Sequence, residues 1–592
     1  MNQKITTQKK IIILLAVFLT CLFLYGIERI YGFVLFPDEF GYWASAAQVI
    51  GYDWNEIASL GSYYSFGYSL FLIPILLFVP DSVMAYRVAV GLNVILLFLT
   101  LLLLVQIVKK LIPQKEGTYH VLFSAIAVFY PTWIFYMQTT LAEVVMVFTF
   151  CLVCYFFMLY IERRRTRYVG LLVLALFYLY VVHMRNVAVV IAAFFVFGIK
   201  LFRMLRDNRI NKKVVCLVIL AIACLLFVVG MKEIVQGTVY GNASAQTLAG
   251  NDYAGQWHKI KSLFTLQGIE EFFVSLLGKI YYLGMASFGL FYFGMFYIGK
   301  NVFLGLKKIF GKEQEKAEEV AFVAGQEYFY IFLLLAVVGV ILIDAIYAKG
   351  YGRIDVLLYG RYDEQILPVV MALGAYQLWL CSGKIRNWLL AVGGMIGVSF
   401  LMTAVIEKVI IEHQLTNIHG GYFIAGMSYL LRYITFEPGN YFWKACLLSS
   451  GFILIFAGVF IAVRKVKGLE WLLLVLIGME MMLGLGLSEQ HVYNYNGTTH
   501  GNTQLAEIIE TKMEQGKRIV SYGNNGDDAF ISSIQFILRD AEIILLTEEE
   551  KNLLTDDDVV IISSKQGDVE FLNERYAECD AYGAFWLYYT DD

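Results

Sequence analysis

The sequence predicts a polytopic α-helical membrane protein that ends in a small α/β domain outside the bilayer. Hydrophobic residues make up 59% of the 592-residue chain and charged residues only 16%, with a mean hydropathy of +0.65. This composition excludes an ordinary soluble protein. The charge is also uneven, because residues 488–592 hold 21 acidic and 7 basic residues whereas the whole chain has a net charge of −3. An apolar, mildly basic domain (residues 1–487) is therefore expected to precede an acidic, water-soluble domain (residues 488–592).

Thirteen segments are predicted to cross the membrane, on the criterion that a spanning helix needs about 20 mainly apolar residues. They lie at about residues 11–33, 85–108, 119–137, 141–161, 168–184, 187–203, 214–232, 276–299, 328–347, 364–381, 388–409, 442–463 and 469–487. A further apolar stretch, residues 67–79, is too short to cross. It is predicted to form an interfacial helix within the first outer loop, residues 34–84.

Lysine and arginine residues are concentrated in alternate connections between these spans. The connections concerned include residues 109–115, 163–167, 200–213, 300–316, 384–386 and 464–467. Short cytoplasmic connections are rich in these residues. The alternation therefore places the N-terminus in the cytoplasm, and the first outer loop and the C-terminal domain outside the cell membrane.

The C-terminal domain alternates strand-like and helix-like stretches, which favours an α/β fold with a mostly parallel sheet. The predicted strands are 518–522, 542–546, 558–563 and 584–589, and the predicted helices are 503–516, 527–539 and 568–578. Residues 523–527 resemble a phosphate-binding turn, but they lack a P-loop lysine and the full dinucleotide pattern. Nucleotide binding is therefore not expected there, and no nucleic-acid partner is expected for the chain.

The first outer loop begins with two adjacent carboxylates, Asp38 and Glu39, where the first span should emerge into water. Five acidic residues and no lysine or arginine lie between residues 36 and 84. Ionisable groups at a membrane boundary are costly to desolvate and often mark functional sites, although an acid at a helix end can simply be solvated. A carboxylate placed here is suited to removing a proton from a hydroxyl group.

The residues around this acid pair favour a functional interpretation. Pro37 fixes the direction in which the chain leaves the membrane, and Gly41 permits close approach of another group. Tyr42 and Trp43 supply flat apolar surface beside the acids.

Together with three other motifs, the acid pair resembles the GT-C superfamily of membrane glycosyltransferases. The closer likeness is to the bacterial protein-mannosyltransferase and aminoarabinose-transferase type. The motifs are Asp38-Glu39 after the first span, Tyr63-Tyr64-Ser65-Phe66-Gly67-Tyr68 in the outer loop, Tyr86-Arg87-Val88 at the start of the second span, and Gly360-Arg361-Tyr362 followed by Pro368.

The resemblance implies an inverting transfer of sugar on the outer face of the membrane. The donor would be a polyprenyl-phosphate-linked sugar held among membrane lipid, and the acceptor a glycan, a lipid or a protein. By the same resemblance Asp38 is the general base, and Glu39 orients the acceptor or a metal. Glu143 is a second acid that orients the acceptor or a metal. Alternatively, Glu143 is only an acid at the start of a helix, where the helix dipole favours it. The aromatic residues expected to line the sugar or lipid pocket are Tyr42, Trp43, Tyr63, Tyr64 and Tyr362.

The leaving phosphate requires positive charge, and arginine can bind two phosphate oxygens at once. The candidates at the outer ends of spans are Arg361, Arg353, Arg185 and Arg87, each of which has snorkelling to lipid headgroups as its alternative. Several relatives carry a Lys-Pro-Pro-like element in the first loop, and this chain has no lysine there. Phosphate binding must then rest on the arginines, on a divalent cation, or on Lys259 and Lys261.

Two alternatives to a glycosyltransferase are a transporter or flippase of a lipid-linked saccharide and a non-catalytic partner in envelope-polymer assembly. A transporter should place ionisable residues near the middle of the membrane and contain an internal repeat. In this sequence the acids and arginines cluster at the outer boundary instead.

Overall fold

The structure is a computed structural model in which long apolar helices form a bundle. It describes residues 2–35, 37–163, 165–206, 212–244, 248, 256–310, 325–416, 418, 421–432, 437, 440–514, 517–523, 528–563, 569–582 and 585–590. The turn that resembles a phosphate-binding turn in sequence falls mainly on residues 524–527, which lie outside the described residues. The polytopic helical class predicted from composition is confirmed.

The first half of the bundle contains eleven α-helices in the described residues. They are α1 (Asn2–Gly26), α2 (Asp38–Ile50), α3 (Asn55–Ala58), α4 (Ser69–Phe78), α5 (Ser82–Leu111), α6 (Gly117–Val128), α7 (Pro131–Tyr136), α8 (Glu143–Arg163), α9 (Thr166–Val182), α10 (Val187–Arg206) and α11 (Lys212–Thr238). Helix α4 falls within the stretch predicted as a short helix of the first outer loop.

The second half continues with ten described helices. They are α12 (Trp257–Lys261), α13 (Leu266–Ala286), α14 (Leu290–Phe310), α15 (Gln326–Tyr347), α16 (Ile354–Leu358), α17 (Leu367–Cys381), α18 (Ile385–Glu412), α19 (Ala425–Ser428), α20 (Tyr441–Lys465) and α21 (Trp471–Ser488). Helix α14 packs closely along α17. A Cβ atom at Gly294 would lie 2.2 Å from the carbonyl oxygen of Val370, so glycine permits this close approach.

Eight helices in the described part of the chain are individually long and apolar enough to cross a membrane. They are Thr7–Arg29, Ser82–Leu111, Glu143–Arg163, Lys212–Thr238, Gln326–Tyr347, Ile385–Glu412, Tyr441–Lys465 and Trp471–Gly497. Shorter apolar helices occupy Gly117–Val128, Thr166–Val182 and Met184–Ile199. The count of thirteen spans therefore stays a prediction.

The segment predicted to span the membrane at residues 276–299 is broken in the structure. The helix axis bends by 109° between α13 and α14. Phe288 and Gly289, at the break, both have positive φ angles, of 51° and 78°, and this left-handed backbone ends a right-handed helix. Hydropathy does not detect the break because the residues around it are small or apolar.

The C-terminal unit, comprising the described residues between 494 and 590, contains a five-stranded sheet. Its elements are α22 (Asn494–Glu514), β1 (Ile519–Tyr522), α23 (Asp528–Ile537), β2 (Ile543–Leu546), β3 (Val559–Ser563), α24 (Glu570–Arg575), β4 (Glu578–Tyr582) and β5 (Phe585–Tyr589). A π-helical turn, Glu489–Tyr493, joins α21 directly to α22. The predicted domain boundary at residue 487 therefore falls within continuous helix, and it stays a prediction.

The sheet is mixed, so the prediction of a mostly parallel sheet is wrong. The strand order is β2-β1-β3-β5-β4, in which β1 pairs in parallel with β2 and β3 whereas β5 is antiparallel to both β3 and β4. Strand β4 was not predicted. Only two residues separate it from β5, too few for the crossover that a parallel pair requires, and its Glu578 and Asp580 resemble a polar loop in sequence.

The predicted topology can be tested with Cys579, which is exposed on β4. A membrane-impermeant maleimide should label Cys579 in intact cells, because the C-terminal unit is predicted to lie outside. Cys579→Ser should abolish this labelling. On that background Lys465→Cys, in a predicted cytoplasmic connection, should be labelled only after permeabilisation. The reverse pattern would contradict the predicted orientation.

Candidate active site

Helix α2 begins with the acid pair of the first outer loop and separates its two side chains. The helix starts directly after Pro37, and acidic residues in a first turn are stabilised by the helix dipole. The side chain of Asp38 is 26% exposed, whereas Glu39 is fully buried. The two neighbouring acids therefore face different environments.

Asp38 is held by one phenol and one guanidinium. The hydroxyl of Tyr64 donates to Oδ1 at 2.6 Å, and Nη1 of Arg361 donates to Oδ2 at 2.5 Å. Burial, followed by the charge of Asp38, raises the pKa of Tyr64 well above its usual value, so this hydroxyl stays protonated and remains a donor. A Cβ atom at residue 41 would lie 2.1 Å from Cδ2 of Tyr64, so the close approach expected at Gly41 is that of Tyr64.

Four side chains from separate parts of the chain form the charge row, which is Asp38, Arg361, Glu143 and Arg185 in that order. Nε of Arg361 donates to Oε1 of Glu143 at 2.7 Å, and Nη2 of Arg185 donates to the same oxygen at 3.2 Å. Glu143 opens α8, and Arg185 lies in a 3-10 turn between α9 and α10. The row alternates in sign and sums to zero charge.

Arg361 joins the two acids of the row and is itself buried. Burial lowers the pKa of its guanidinium, but Glu143 and Asp38 outweigh that effect and raise the pKa well above its usual value. The side chain therefore stays charged. Asp38, at the end of the row, is the member of these four that reaches solvent.

Two members of the charge row have unused hydrogen-bonding capacity. Among the described residues, Oε2 of Glu143 and both Nε and Nη1 of Arg185 are buried without a hydrogen-bond partner. Buried donors left unpaired cost free energy. The guanidinium carbon of Arg185 lies 4.6 Å from the ring centroid of Tyr362. Two free donors on a planar cation, fixed by an aromatic ring, are suited to an oxyanion such as a phosphate.

The backbone next to Arg361 is strained. Tyr359 has φ 25° and ψ 50°, in the left-handed region that costs a non-glycine residue roughly 1–2 kcal/mol. A Cβ atom at Gly360 would lie 1.7 Å from the ring of Tyr282, so only glycine fits there. The ring of Tyr359 stacks on Phe423 at 4.7 Å and meets Tyr362 edge-on at 4.5 Å. These rings form an aromatic wall beside the row.

Glu39 does not share the surroundings of Asp38. Its Oε1 accepts from the backbone N–H groups of Val34 and Leu35 at 2.8 and 2.9 Å. Its Oε2 accepts from Tyr86 at 2.5 Å and from the N–H and hydroxyl of Thr140 at 2.6 and 2.7 Å. Burial raises the pKa of Glu39, and these hydrogen bonds oppose the rise. Because Glu39 is fully buried and its two oxygens accept five hydrogen bonds, it is not placed to orient an acceptor or a metal as the resemblance implied.

Two of the four candidate arginines lie outside the charge row. Arg87 donates to the carbonyls of Glu28 and Ile30 at 2.9 Å each. Arg353 pairs with Asp355 at 3.2 Å and lies 5.4 Å from the ring of Phe423. The structure therefore brings together Arg361 and Arg185, whereas Arg353 contacts Phe423 of the aromatic wall.

The expected aromatic pocket residues also have different positions. Tyr42 and Trp43 are fully buried, and the indole N–H of Trp43 donates to the hydroxyl of Thr140 at 3.0 Å. Tyr63 lines a cavity between α9, α10 and α11, whereas Tyr64 and Tyr362 contact the charge row. The two lysines offered as alternatives lie in α12, where Lys259 donates to the carbonyl of Tyr347 at 2.6 Å.

The acids do not form a metal centre. In the described ranges, no group of three or more histidine, cysteine, aspartate or glutamate side chains is arranged to hold a metal ion. The guanidinium of Arg361 lies between Asp38 and Glu143, where a cation bridging the two acids would have to bind. The site residues thus do not fit a bound divalent cation.

An apolar groove between α9, α10 and α11 leads towards the charge row. It consists of two cavities of about 550 and 380 Å³, which share Phe177, Val190 and Leu225. Helix α11 lines the groove along its whole length, from Val214 to Gln236, a distance of roughly 33 Å at 1.5 Å per residue. The end of the groove that includes Met184, next to Arg185, is polar and is lined by residues that include Tyr63, Ser65, Met184, Lys232, Glu233 and Gln236.

The sequence analysis identified neither this groove nor Lys232. Lys232 could have been found from its position at the predicted outer end of the seventh span. The groove is formed by helix separation, and no residue pattern reports that separation.

The bundle, the charged site among the connections between its helices and the appended α/β unit define a polytopic α-helical membrane protein. The fold is similar to that of ArnT from Cupriavidus metallidurans in the apo state, with a TM-score of 0.53, 12% identity and 98% of each chain covered. It is equally similar to ArnT from Cupriavidus metallidurans bound to undecaprenyl phosphate, with a TM-score of 0.54, 11% identity and 98% of each chain covered. No protein-family model matches the chain, and no curated protein matches it by sequence. The fold expected from the resemblance is confirmed.

The contact between Gly41 and Tyr64 can be tested by Gly41→Ala. The added methyl group should displace Tyr64 from Asp38 and destabilise the protein by about 1–3 kcal/mol, which would lower its thermal unfolding midpoint in detergent. Gly32→Ala is the matched control, because no atom lies within 4 Å of a Cβ placed there. Equal midpoints for the two variants would contradict the tight contact.

Proposed function

We propose that this protein is a membrane glycosyltransferase that moves a sugar from a polyprenyl-phosphate donor to an acceptor at the outer face of the membrane, with inversion. The observation that supports this proposal is the charge row. Its solvent-exposed end is the carboxylate of Asp38, which is suited to act as a general base. Its buried end is Arg185, whose two unpaired guanidinium donors are suited to bind a phosphate.

In the proposed reaction, Asp38 takes the proton of an acceptor hydroxyl as that oxygen attacks the anomeric carbon of the donor. The bond between this carbon and the phosphate oxygen breaks, and polyprenyl phosphate leaves from the opposite face of the sugar. One displacement inverts the anomeric configuration. Tyr64 and Arg361 hold the two oxygens of Asp38, which fixes the direction in which the carboxylate meets the acceptor.

Arg185 is proposed to bind the leaving phosphate through Nε and Nη1. Both donors are buried, and the stacked ring of Tyr362 limits rotation of the guanidinium. Negative charge grows on the phosphate as the glycosidic bond breaks, so a fixed cation stabilises the transition state more than the ground state.

The groove between α9, α10 and α11 is proposed to hold the polyprenyl chain. The lining of its larger cavity is almost wholly apolar, and the roughly 33 Å length of the groove matches the hydrocarbon thickness of a bilayer. Its polar outer end is lined by Met184, next to Arg185, and by Tyr63 and Ser65, on either side of Tyr64. A chain in this groove would bring its phosphate towards the charge row. ArnT crystallised with undecaprenyl phosphate has the same fold, which supports this class of donor.

The role of Asp38 can be tested by comparing envelope glycans in four strains: wild type, a deletion, and the deletion complemented with Asp38→Asn or Asp53→Asn. One sugar substituent should be lost in the deletion and fall at least about 100-fold with Asp38→Asn, since a positioned base contributes roughly that factor. Asp53 is an exposed acid in the same loop, so Asp53→Asn should restore the glycan.

Full restoration of the glycan by Asp38→Asn, at normal expression, would remove the proposed base. Transport of a lipid-linked saccharide or a non-catalytic role in polymer assembly would then account better for the loss on deletion.

The role of Arg185 can be tested by ligand-induced stabilisation. Undecaprenyl phosphate should raise the thermal unfolding midpoint of the wild type, and Arg185→Gln should lose most of that rise because its side chain cannot bind the anion bidentately. Arg87→Gln removes an arginine that lies outside the charge row and donates to two backbone carbonyls, and it should keep the rise. Each shift is measured from the midpoint of that variant without lipid. Equal shifts for both variants would exclude Arg185 as the phosphate ligand.

A further inference from the structure

Phe536, near the end of α23 in the C-terminal unit, is inserted into the first outer loop. Its ring centroid lies 4.7 Å from that of Phe33 and 4.9 Å from that of Trp43. Trp54 and Tyr86 complete the surrounding rings at 6.3 and 6.5 Å. The side chain of Phe536 is almost fully buried. Aromatic contacts of this kind give large burial and a defined orientation.

Hydrogen bonds from the backbone and side chains near Phe536 hold this ring in the same position. The hydroxyl of Ser82 donates to the carbonyl of Phe536 at 2.8 Å and accepts from Nε of Arg539 at 2.9 Å. The indole N–H of Trp54 donates to the carbonyl of Arg539 at 2.9 Å.

Arg539 also binds the C-terminal end of α4. Its Nη1 donates to the carbonyls of Val79 at 2.7 Å and Leu76 at 3.3 Å. The last carbonyls of a helix lack partners within the helix, and the helix dipole favours a cation there. The C-terminal unit therefore contacts both α4 and the α2–α3 segment of the outer loop.

Two of the rings around Phe536 lead to the acid pair. Tyr86 donates to Oε2 of Glu39, and Trp43 donates to the hydroxyl of Thr140, which donates to that same oxygen. Glu39 in turn holds the backbone that precedes α2, and Asp38 is the adjacent residue. Phe536 is thus separated from Glu39 by one side chain, Tyr86.

The two faces of the C-terminal sheet belong to different cores. One face, which includes Ile519, Val559, Ile561 and Leu587, is continuous with the core of the helical bundle, as is Phe536. The other face packs with Leu572 of α24 in a separate cluster that includes Val520, Val560, Ile562 and Tyr588. The C-terminal unit therefore has a hydrophobic core of its own on one face of the sheet and packs against the helical bundle with the other face.

We infer that the C-terminal unit completes the active site, with Phe536 as a positioning residue that holds Glu39, and through it Asp38, in place. The catalytic consequence rests on the proposed function, whereas the structural coupling between Phe536 and the outer loop does not. Phe536 touches no reacting group, so its effect should appear in the order of the loop and in turnover.

The coupling can be tested by hydrogen–deuterium exchange of the full-length protein in detergent. Phe536→Ala should make the backbone amides of residues 38–60 exchange at least about tenfold faster, because local opening then costs less free energy. Phe536→Leu, which fills most of the volume, should restore much of the protection. Peptides from α15 should exchange as in the wild type. Arg539→Gln, which removes the contact with α4, provides a second variant should Phe536→Ala fail to fold.

Leu572→Ala is the matched control, because it damages only the separate core of the C-terminal unit. It should leave exchange of residues 38–60 unchanged. Equal acceleration by Leu572→Ala and Phe536→Ala, or none by Phe536→Ala and Arg539→Gln, would overturn the coupling.

The catalytic part is tested by turnover of the donor. Phe536→Ala should lower kcat for sugar transfer at least about tenfold and leave KM for the polyprenyl-phosphate donor nearly unchanged, since none of the rings around Phe536 lines the groove proposed to hold the donor. A fall in kcat/KM caused by KM alone would overturn the positioning role. If the wild-type protein transferred no sugar from a polyprenyl-phosphate donor, the proposed function would fail while the exchange result would stand.

Discussion

The ion pairs of Arg361 with Asp38 and Glu143 are the interaction on which the site depends. Removing one partner of a buried pair leaves an uncompensated charge, which typically costs about 3–5 kcal/mol. Here the guanidinium has a carboxylate at both Nε and Nη1, at 2.7 and 2.5 Å. The turn that carries Arg361, the start of α8 and the start of α2 are therefore held together by charge. The strained Tyr359 and the obligatory Gly360 are consistent with a backbone that is fixed by this requirement.

The sequence predicted the members of the charge row but not their pairing. Asp38, Glu143, Arg185 and Arg361 each fall at the outer end of a predicted span, and the charge alternation places those ends at one membrane surface. Arg87 and Arg353 satisfy the same criteria, yet Arg87 binds backbone carbonyls and Arg353 pairs with Asp355. Depth in the membrane follows from hydropathy, whereas lateral position depends on helix packing, which no local pattern encodes.

Asp38 and Glu39 show the same limit within one helix. Consecutive residues of an α-helix point about 100° apart, so one carboxylate reaches the charge row and the other enters the core. The sequence shows two adjacent acids, but it does not predict how α2 is rotated about its own axis. That rotation depends on Trp43 and Tyr42, which pack inward, and on Tyr64, which lies against Gly41. Similarly, the bend between α13 and α14 depends on two backbone angles that hydropathy does not report.

Under the proposed function, the charge row must accommodate a phosphate without a lysine from the first outer loop. Tyr64 contacts Asp38 through a neutral hydroxyl, so the loop adds no cation, and the four ionised groups sum to zero. A phosphate arriving at Arg185 would make the site negative. Under the proposed mechanism Asp38 becomes neutral as it takes the acceptor proton, which weakens its hold on Arg361 at the moment when the leaving phosphate gains charge. The positive charge of Arg361 is then balanced less by Asp38 and more by the phosphate, so proton transfer and departure of the phosphate assist each other.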